Sequence, residues 1–248
     1  RDLRMSRGLG DVYKRQSYTK SKKEIEMAKF KVAERFVSIN GESVKAGELA
    51  VFIRFTGCNL NCSYCDTKWA NEADASYEEL TDEEIYDYIK RTGVRNVTLT
   101  GGEPLIQKDI DKLLLMLAMD EELQVEVETN GSVDIAEFKA LTDRVAFTLD
   151  YKLPGSGMES NMCFSNYNYI DKKDAVKFVS GSIKDLETAR DIIHEWALDI
   201  KSNVYISPVY GKINPEDIVD FMIENEMNGI KLQLQLHKYI WDPEMRGV

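Results

Sequence analysis

The chain has 248 residues, of which 43% are hydrophobic and 10% aromatic, and its 15 glycines and 5 prolines are too few for a collagen-like or low-complexity protein. This composition is typical of a soluble globular protein, since the longest apolar runs are far too short to span a bilayer. The formal net charge of −11 argues against binding to nucleic acid or to an anionic membrane, because both require a basic surface.

The N-terminal segment differs from the rest of the chain because it is rich in Lys and Arg. It contains no apolar stretch of the kind found in a secretory signal. We expect residues 1–26 to be a disordered extension, either upstream sequence or an artificial addition before a natural start at Met27. Residues 27–248 are expected to form a single domain.

Segments typical of strands and of helices alternate from about residue 30 onward. The predicted strands are rich in β-branched and aromatic residues and fall at 32–39, 50–55, 96–100, 124–129, 145–149, 175–179, 203–206 and 231–236. The last of them reads KLQLQL, and its strict alternation predicts a half-buried strand.

Helices are predicted between most of these strands. Thr81 and Glu84 have the spacing of a capping box, Gly93 is placed to end that helix, and Asn214, which precedes a proline, predicts another helix start. Further helices are expected near 108–121, 134–141 and 184–197. Strands that alternate with helices form βαβ units, and this number of units predicts an α/β fold, a partial, open (β/α) barrel of mostly parallel strands.

Three of the four cysteines, Cys58, Cys62 and Cys65, lie within eight residues after a predicted buried strand. Three thiolates at this C-x3-C-x2-C spacing can converge on one [4Fe–4S] cluster and leave one iron without a protein ligand. Clustered thiols are not the pattern of a secreted disulfide scaffold, so we expect a reducing cytoplasm. A structural zinc ion is the alternative, but it needs a fourth ligand and both histidines are distant in sequence. Cys163 is isolated and is interpreted as an ordinary loop or core residue.

A second motif, V-T-L-T-G-G-E-P at 97–104, is a predicted strand followed by two glycines, which allow the backbone to approach a ligand closely. Together with the cysteine loop it resembles the radical S-adenosylmethionine superfamily. The resemblance implies a barrel of that type with fewer helices, and a cluster whose open iron is chelated by S-adenosylmethionine. Reduction of the cluster then yields a 5′-deoxyadenosyl radical, and no catalytic side chain is expected beyond the cofactors. The residues implied in binding S-adenosylmethionine are Tyr64, Asp66, Gly101, Gly102, Glu103, Lys152 and Ser207.

Further segments resemble the 7-carboxy-7-deazaguanine synthase family over essentially all of residues 28–248. These are F-V-S-I-N-G-E at 36–42, Arg54 before the first cluster cysteine, E-T-N-G at 128–131, Q-L-H-K-Y-I-W at 235–241 and the terminal R-G-V. The resemblance implies a radical S-adenosylmethionine lyase of queuosine or deazapurine biosynthesis. Its reaction would convert 6-carboxy-5,6,7,8-tetrahydropterin to 7-carboxy-7-deazaguanine with ring contraction and loss of ammonia.

The same resemblance implies a set of residues around the carboxypterin substrate. They are Ile39, Asn40, Gly41, Glu42, Arg54, Thr100, Glu128, Gln235, His237 and Val248. Asn40 stands where the family often has Gln, with the same donors and acceptors on a side chain one methylene shorter. Glu42 is expected to accept two hydrogen bonds from the pterin, and Arg54 to bind substrate unless it forms an ion pair at the strand end.

The resemblance further implies a Mg²⁺ ion bound by Thr67, a residue that would otherwise be interpreted as a helix cap. It implies an electron donor such as flavodoxin or ferredoxin and a homodimer, with no nucleic-acid or membrane partner. Two other functions stay open. An activase of a glycyl radical enzyme would be expected to carry extra cysteine motifs or a docking surface, and a non-catalytic iron–sulfur or zinc module leaves the Gly-Gly turn unexplained.

Overall fold

One nine-stranded sheet forms the centre of the fold. The computed structural model describes residues 28–248, so the expectation of an extension over residues 1–26 lies outside the described residues. The strands are β1 Lys29–Ile39, β2 Leu49–Phe55, β3 Glu78–Thr81, β4 Asn96–Gly101, β5 Gln124–Thr129, β6 Val145–Tyr151, β7 Ala175–Ser180, β8 Asn203–Pro208 and β9 Lys231–Leu232.

The strand order is β3-β1-β2-β4-β5-β6-β7-β8-β9. From β2 through β9 each neighbouring pair is parallel, whereas β1 pairs antiparallel with both β2 and β3. In the part of the chain that the structure describes, the sheet therefore ends in two edges, β3 and β9. The prediction of a partial, open barrel of mostly parallel strands is confirmed.

Helices follow most of the parallel strands. They are α1 Lys68–Asn71, α2 Asp82–Thr92, α3 Ile110–Met119, α4 Ala136–Leu141, α5 Ile183–Trp196, α6 Leu198–Lys201, α7 Pro215–Glu224 and α8 His237–Ile240. The predicted capping box is present, because the Thr81 hydroxyl accepts from the Glu84 N–H and the Glu84 carboxylate accepts from the Thr81 N–H. Gly93 ends this helix in the left-handed conformation with φ 69°.

The connection between β6 and β7 contains three short 3-10 turns in place of an α-helix, at Pro154–Ser156, Glu159–Asn161 and Phe164–Asn168. Tyr167 of the last turn packs on the Trp196 ring with centroids 5.5 Å apart, so an aromatic contact covers this side of the sheet. Helix α4 has only six residues. The prediction of a reduced helix complement is confirmed by this region.

The sequence predicted one strand too long and missed another. The predicted strand 231–236 ends at Leu232, because the Gln233 side chain turns inward to bond both backbone groups of Ser43. Strand β3 was missed, since its sequence EELT is mostly exposed and lacks the apolar alternation that identifies a strand. It is recognisable only from its pairing with β1.

The two faces of the central strands differ in chemistry. Val97 and Leu99 of β4 and Val127 of β5 belong to the buried apolar core beneath the helices, where full burial of each such side chain contributes about 1.5–3 kcal/mol. Alternate residues such as Thr98 and Glu126 point to the other face, which is buried and polar. The carboxyl ends of these parallel strands meet at one edge, where ligands bind in such folds. None of the helices within residues 28–248 has the length and apolar character needed to cross a membrane.

Candidate active site

The cysteine loop, residues 57–67, leaves β2 through Gly57, whose φ of +82° favours glycine. Cys62 is buried, whereas Cys58 and Cys65 are half-buried, and all three are free thiols. Burial raises the pKa of the Cys62 thiol; the charge of Lys152 lowers it, and nearby Cys65 and Cys58 raise it further. The three thiols therefore lie within electrostatic reach of one another.

The donor set of this loop fits a [4Fe–4S] cluster. Within the described residues, no three His, Cys, Asp or Glu side chains are grouped closely enough to hold a single metal ion. In a cubane each cysteine ligates a different iron, so its ligands stand further apart than those of a single ion. Three free thiols on one loop would thus hold three irons and leave the fourth open to another ligand.

The segment that follows β5 forms hydrogen bonds with the cysteine loop. Asn130, just after this strand, donates its side-chain N–H to Cys58 Sγ at 3.6 Å and to Asn59 Oδ1 at 2.9 Å. The Asn130 backbone N–H in turn donates to Glu103 Oε2 at 2.7 Å. The E-T-N-G motif thus positions the first cluster cysteine.

Glu103, predicted to contact S-adenosylmethionine, is buried and fully hydrogen-bonded within the chain. Its residue exposure is 0%, and its carboxylate accepts from the N–H groups of Leu105 and Asn130 and from the Thr129 hydroxyl. Burial raises the pKa of Glu103, although these hydrogen bonds oppose the shift. Its carboxylate therefore fixes the loop after β4, and its contact with S-adenosylmethionine stays a prediction.

The two glycines of the Gly-Gly turn are required by packing within the chain. A Cβ on Gly101 would lie 2.3 Å from the Phe55 carbonyl oxygen, and one on Gly102 would lie 1.9 Å from the Gly57 carbonyl oxygen. The end of β4 can approach β2 and the cysteine loop only without side chains at these positions. Their predicted contact with S-adenosylmethionine stays a prediction.

Two other residues predicted for S-adenosylmethionine, Tyr64 of the cysteine loop and Lys152, contact residues at strand ends. The Tyr64 hydroxyl donates to the Val179 carbonyl at the end of β7, at 3.2 Å. Lys152 directly follows β6, and its Nζ lies 2.7 Å from Oδ2 of Asp150 at the end of that strand. Burial alone would lower the pKa of Lys152, but the charges of Asp150 and Cys62 raise it, so that Lys152 stays cationic beside the loop.

The 40–43 turn, between β1 and β2, carries the predicted substrate residues and lies across the polar face of the sheet. Asn40 is buried; its Oδ1 accepts from the Thr98 hydroxyl at 2.9 Å, while its Nδ2 has no partner in the described residues. Glu42 accepts from Lys177 Nζ at 3.2 Å and from the Ser207 hydroxyl at 3.3 Å. Ser207, predicted to contact S-adenosylmethionine, is therefore bonded to a predicted substrate residue.

Lys177 on β7 is the main cation of this polar face and was missed in the sequence. Burial acts to lower its pKa, but the carboxylates of Glu42, Asp150 and Glu128 raise the pKa above the ordinary lysine value. Lys177 Nζ lies 3.9 Å from Asp150 Oδ2, and Asp150 Oδ1 is buried without a partner in the described residues. A charged residue within an otherwise apolar strand, AVKFVS, is the signal that could have identified it.

The C-terminal segment, residues 233–248, covers the 40–43 turn. A Cβ on Gly41 would lie 2.7 Å from His237 Nδ1, so only glycine admits the imidazole at this distance. The Gln235 side chain donates to Glu42 Oε2 at 3.3 Å. Burial lowers the pKa of His237. The predicted strand 231–236 included Gln235; this was wrong, because the strand ends at Leu232. His237 begins α8.

Other predicted substrate residues are dispersed around this turn. Arg54 Nε forms an ion pair with Glu34 Oε1 at 2.7 Å, which is the alternative to a substrate contact considered for it. The Thr100 hydroxyl donates to Glu128 Oε2 at 2.9 Å on the polar face. Ile39 and Val248 are half-buried, and their contacts with substrate stay predictions.

Asp66 and Thr67 follow the last cluster cysteine. Asp66 pairs with Lys238 of the C-terminal segment, with Nζ 3.3 Å from Oδ2, and its side chain is 55% exposed. Partial loss of solvent around Asp66 would raise its pKa, but Lys238 and then Arg54 lower it. Thr67 occupies the N-cap position of α1 but its hydroxyl caps no N–H; its contact is Cys65 Sγ at 3.5 Å. The hydroxyl oxygen has two lone pairs, so beside this one contact it can still accept a second partner.

The chain is similar to several known proteins. The profile of the Radical SAM superfamily matches residues 52–151. The chain is 58% identical over 219 residues to the 7-carboxy-7-deazaguanine synthase of Clostridium acetobutylicum, an alignment covering 88% of this chain and 99% of that protein. It is 34% identical to the protein of the same name from Leptospira interrogans, over 89% and 98% of the two chains. The crystal structure of QueE from Escherichia coli superposes with a TM-score of 0.67 over 84% and 94% of the chains, and its 23% identity indicates a shared fold.

Proposed function

This chain belongs to the 7-carboxy-7-deazaguanine synthase family, and from that premise we propose how its residues bind the cofactors and the substrate. It is a radical S-adenosylmethionine lyase with a [4Fe–4S] cluster and S-adenosylmethionine as cofactors. It converts 6-carboxy-5,6,7,8-tetrahydropterin to 7-carboxy-7-deazaguanine, with ring contraction and loss of ammonia, in queuosine and deazapurine biosynthesis. The 58% identity over 99% of the clostridial relative is the observation that carries this conclusion.

The cysteine loop is proposed to hold the cluster through Cys58, Cys62 and Cys65. When bound, the cluster and S-adenosylmethionine supply the radical that removes a hydrogen atom from carbon 6 of the pterin. Burial of Cys62 and the hydrogen bond from Asn130 to Cys58 support this assignment, because they preorganise the thiols and limit access of water.

S-adenosylmethionine is proposed to lie between the cysteine loop and the ends of β4, β6 and β7. Lys152 suits its carboxylate, since the lysine stays cationic and lies close to Cys62. Tyr64 offers an aromatic ring anchored at the end of β7. The backbone of Gly101 and Gly102 would approach the cofactor, whereas the Glu103 carboxylate acts by fixing this turn.

The carboxypterin is proposed to bind over the 40–43 turn. The unpartnered Nδ2 of Asn40 is a donor for a ring oxygen or nitrogen, and satisfying it would remove the cost of a buried unpaired group. Glu42 provides carboxylate oxygens for the guanidine-like edge of the pterin, held in position by Lys177 and Ser207. His237, uncharged because its pKa is lowered, closes the site above Gly41.

Thr67 is proposed as the protein ligand of Mg²⁺, with substrate oxygens and water completing the octahedron. Magnesium retains several waters and needs few protein ligands, so a single hydroxyl is sufficient. The Thr67 hydroxyl caps no backbone N–H and lies next to a cluster cysteine, which supports this role. The ion would orient the substrate carboxylate.

Partners and location are also proposals. A flavodoxin or ferredoxin would supply the electron that the cluster requires, and the chain would act as a homodimer. A cytoplasmic location accords with the four free cysteines.

Anaerobic turnover tests the function directly. Reconstituted protein with reductant, S-adenosylmethionine, Mg²⁺ and the carboxypterin is expected to release ammonia and a deazapurine carboxylate, measured by mass spectrometry. The control omits S-adenosylmethionine and should yield neither product. A protein with an intact cluster that cleaves S-adenosylmethionine but leaves the carboxypterin unchanged would overturn the substrate assignment.

A further inference from the structure

A buried carboxyl group on β5, outside the residues assigned so far, lies beneath the 40–43 turn. Glu126 is 7% exposed and is paired in register with Thr98 of β4 and Ala146 of β6. Among residues 28–248 no Lys, Arg or His forms an ion pair with it. A buried ionised carboxylate without a cation is expensive, so its hydrogen bonds determine its state.

One oxygen of this carboxyl forms a closed triangle with two hydroxyl oxygens. The Ser43 Oγ lies 2.5 Å from Glu126 Oε1 and 2.7 Å from Thr148 Oγ1, and Thr148 Oγ1 also contacts Glu126 Oε1. Each hydroxyl has one proton to donate, so two protons serve three contacts when Glu126 is ionised. A protonated Glu126 supplies the third proton, and each group then donates once and accepts once.

The charges around Glu126 favour the same state. Burial raises the pKa of Glu126 and the neighbouring carboxylate of Glu128 raises it further, whereas the Ser43 and Thr148 hydroxyls and then Lys177 lower it. Lys177 is already engaged with Glu42 of the turn and lies near Asp150 of β6. The inward residues of β4 are the uncharged Thr98 and Thr100, and the C-terminal segment brings His237, whose pKa is lowered.

Ser43 connects this triangle to the substrate residues. It is buried with φ 68°, a left-handed conformation that non-glycine residues rarely adopt. Its N–H donates to Gln233 Oε1 at 2.6 Å and its carbonyl accepts from Gln233 Nε2 at 3.0 Å. The hydroxyl contact with Glu126 therefore fixes the last residue of the turn that presents Asn40 and Glu42.

We propose that Glu126 is a positioning residue for substrate binding, an uncharged carboxyl that closes a three-membered hydrogen-bond ring with Ser43 and Thr148 and thereby fixes the 40–43 turn. It acts through Ser43 and touches neither substrate nor cofactor. This inference rests on the proposed function, because its readout is the affinity of the carboxypterin.

The test compares Glu126→Ala, Glu126→Gln and Val125→Ala in the reconstituted holoenzyme. Val125 is the matched control, since it is 3% exposed and adjacent on β5 but belongs to the apolar core. Glu126→Ala is expected to raise KM for the carboxypterin about tenfold, with little change in kcat, because it leaves two buried hydroxyls without their partner. Glu126→Gln keeps an uncharged polar group of the same size, but its donor and acceptor lie on different atoms, so it should raise KM less than Glu126→Ala does. Cluster absorption and S-adenosylmethionine cleavage without substrate should be unchanged.

A pH series supplies a readout that a purely structural role would not give. KM of the wild type is expected to rise at alkaline pH as Glu126 ionises, and KM of Glu126→Gln should not. The free energy of unfolding of the wild type should also fall, relative to that of Glu126→Gln, as the pH rises. A carboxyl with a raised folded-state pKa loses stability as pH rises above its ordinary value of 4.5, so the amide gains relative to wild type.

If Glu126→Ala does not fold, Ser43→Gly carries the test, because glycine accepts the positive φ and lacks the hydroxymethyl group that contacts Glu126. A severalfold rise in KM is expected. Identical KM values for Glu126→Ala, or for Ser43→Gly, and Val125→Ala would overturn the positioning role, and identical pH profiles of wild type and Glu126→Gln would overturn the uncharged state. A wild type inert toward the carboxypterin would instead overturn the proposed function.

Discussion

The cysteine loop and the 40–43 turn are held in place in opposite ways. The three cysteines lie within eight residues, so their spacing alone puts them on one loop. The turn is fixed by side chains 58 to 193 residues away, from Thr98 on β4 to Gln235 in the C-terminal segment. A local motif thus suffices to predict the cofactor region, whereas the substrate region depends on the register of five strands.

The largest expected effect tests the local character of the cysteine loop. Cys62→Ala should abolish the cluster, and activity should fall below detection, because one iron loses its only protein ligand. Iron content and the visible absorption of the anaerobic protein measure this. Cys163→Ala, outside the loop, is the matched control and should retain both; loss of the cluster in that variant would contradict the assignment of ligands.

The next effect concerns the long-range contacts of the turn. Glu42→Gln should raise KM for the carboxypterin about 30-fold, or about 2 kcal/mol, because Lys177 is left buried without its nearest carboxylate. Steady-state kinetics with S-adenosylmethionine saturating measure the change. Glu48→Gln removes a carboxylate that is 54% exposed on the same connection and should have no effect. Equal KM values for both variants would show that the turn does not bind substrate through Glu42.

A smaller effect is expected at the end of the cysteine loop. Thr67→Ala should raise the Mg²⁺ concentration required for half-maximal activity about tenfold, or about 1.4 kcal/mol, by removing the proposed ligand. Thr67→Ser keeps the hydroxyl and should behave as wild type. An unchanged magnesium dependence in Thr67→Ala would remove the assignment.

The smallest effect concerns the contact between the cysteine loop and the C-terminal segment. Lys238→Ala should lower the melting temperature by about 2–4 °C, because an ion pair with a partner that is 55% exposed contributes at most about 1 kcal/mol. The difference should shrink at high salt. A loss that persists in 1 M salt would show that packing of the Lys238 stem, rather than the ion pair, holds the segment.

Most strands and several helices were predictable because their signals are local. Strand β5 was predicted with its observed bounds, Gln124–Thr129, from a short β-branched run. The helix over Asp82–Thr92 was predicted from its capping box and its terminal glycine. The segment 231–236 failed because alternation cannot reveal that Gln233 leaves the sheet to bind Ser43.

Residues of the candidate site were likewise predictable only where their signal is local in sequence. The positions of Cys58, Cys62, Cys65 and Gly101 follow from motifs, since each motif is contiguous in sequence. Lys177 was not identified, because its importance comes from the partner that the fold brings to it. The contacts of Ser207 with Glu42 and of Glu103 with Leu105 could not be read from the sequence for the same reason.

By itself, the sequence determined the chemistry: three thiols on one loop, a Gly-Gly turn one βα unit later, and strands that alternate with helices. Periodicity and spacing encode such features, because they arise from neighbours a few residues apart. Only the tertiary structure decided which buried charged side chains form ion pairs and which buried oxygens are hydrogen-bonded to each other. Strand register sets those distances, and register depends on the whole sheet.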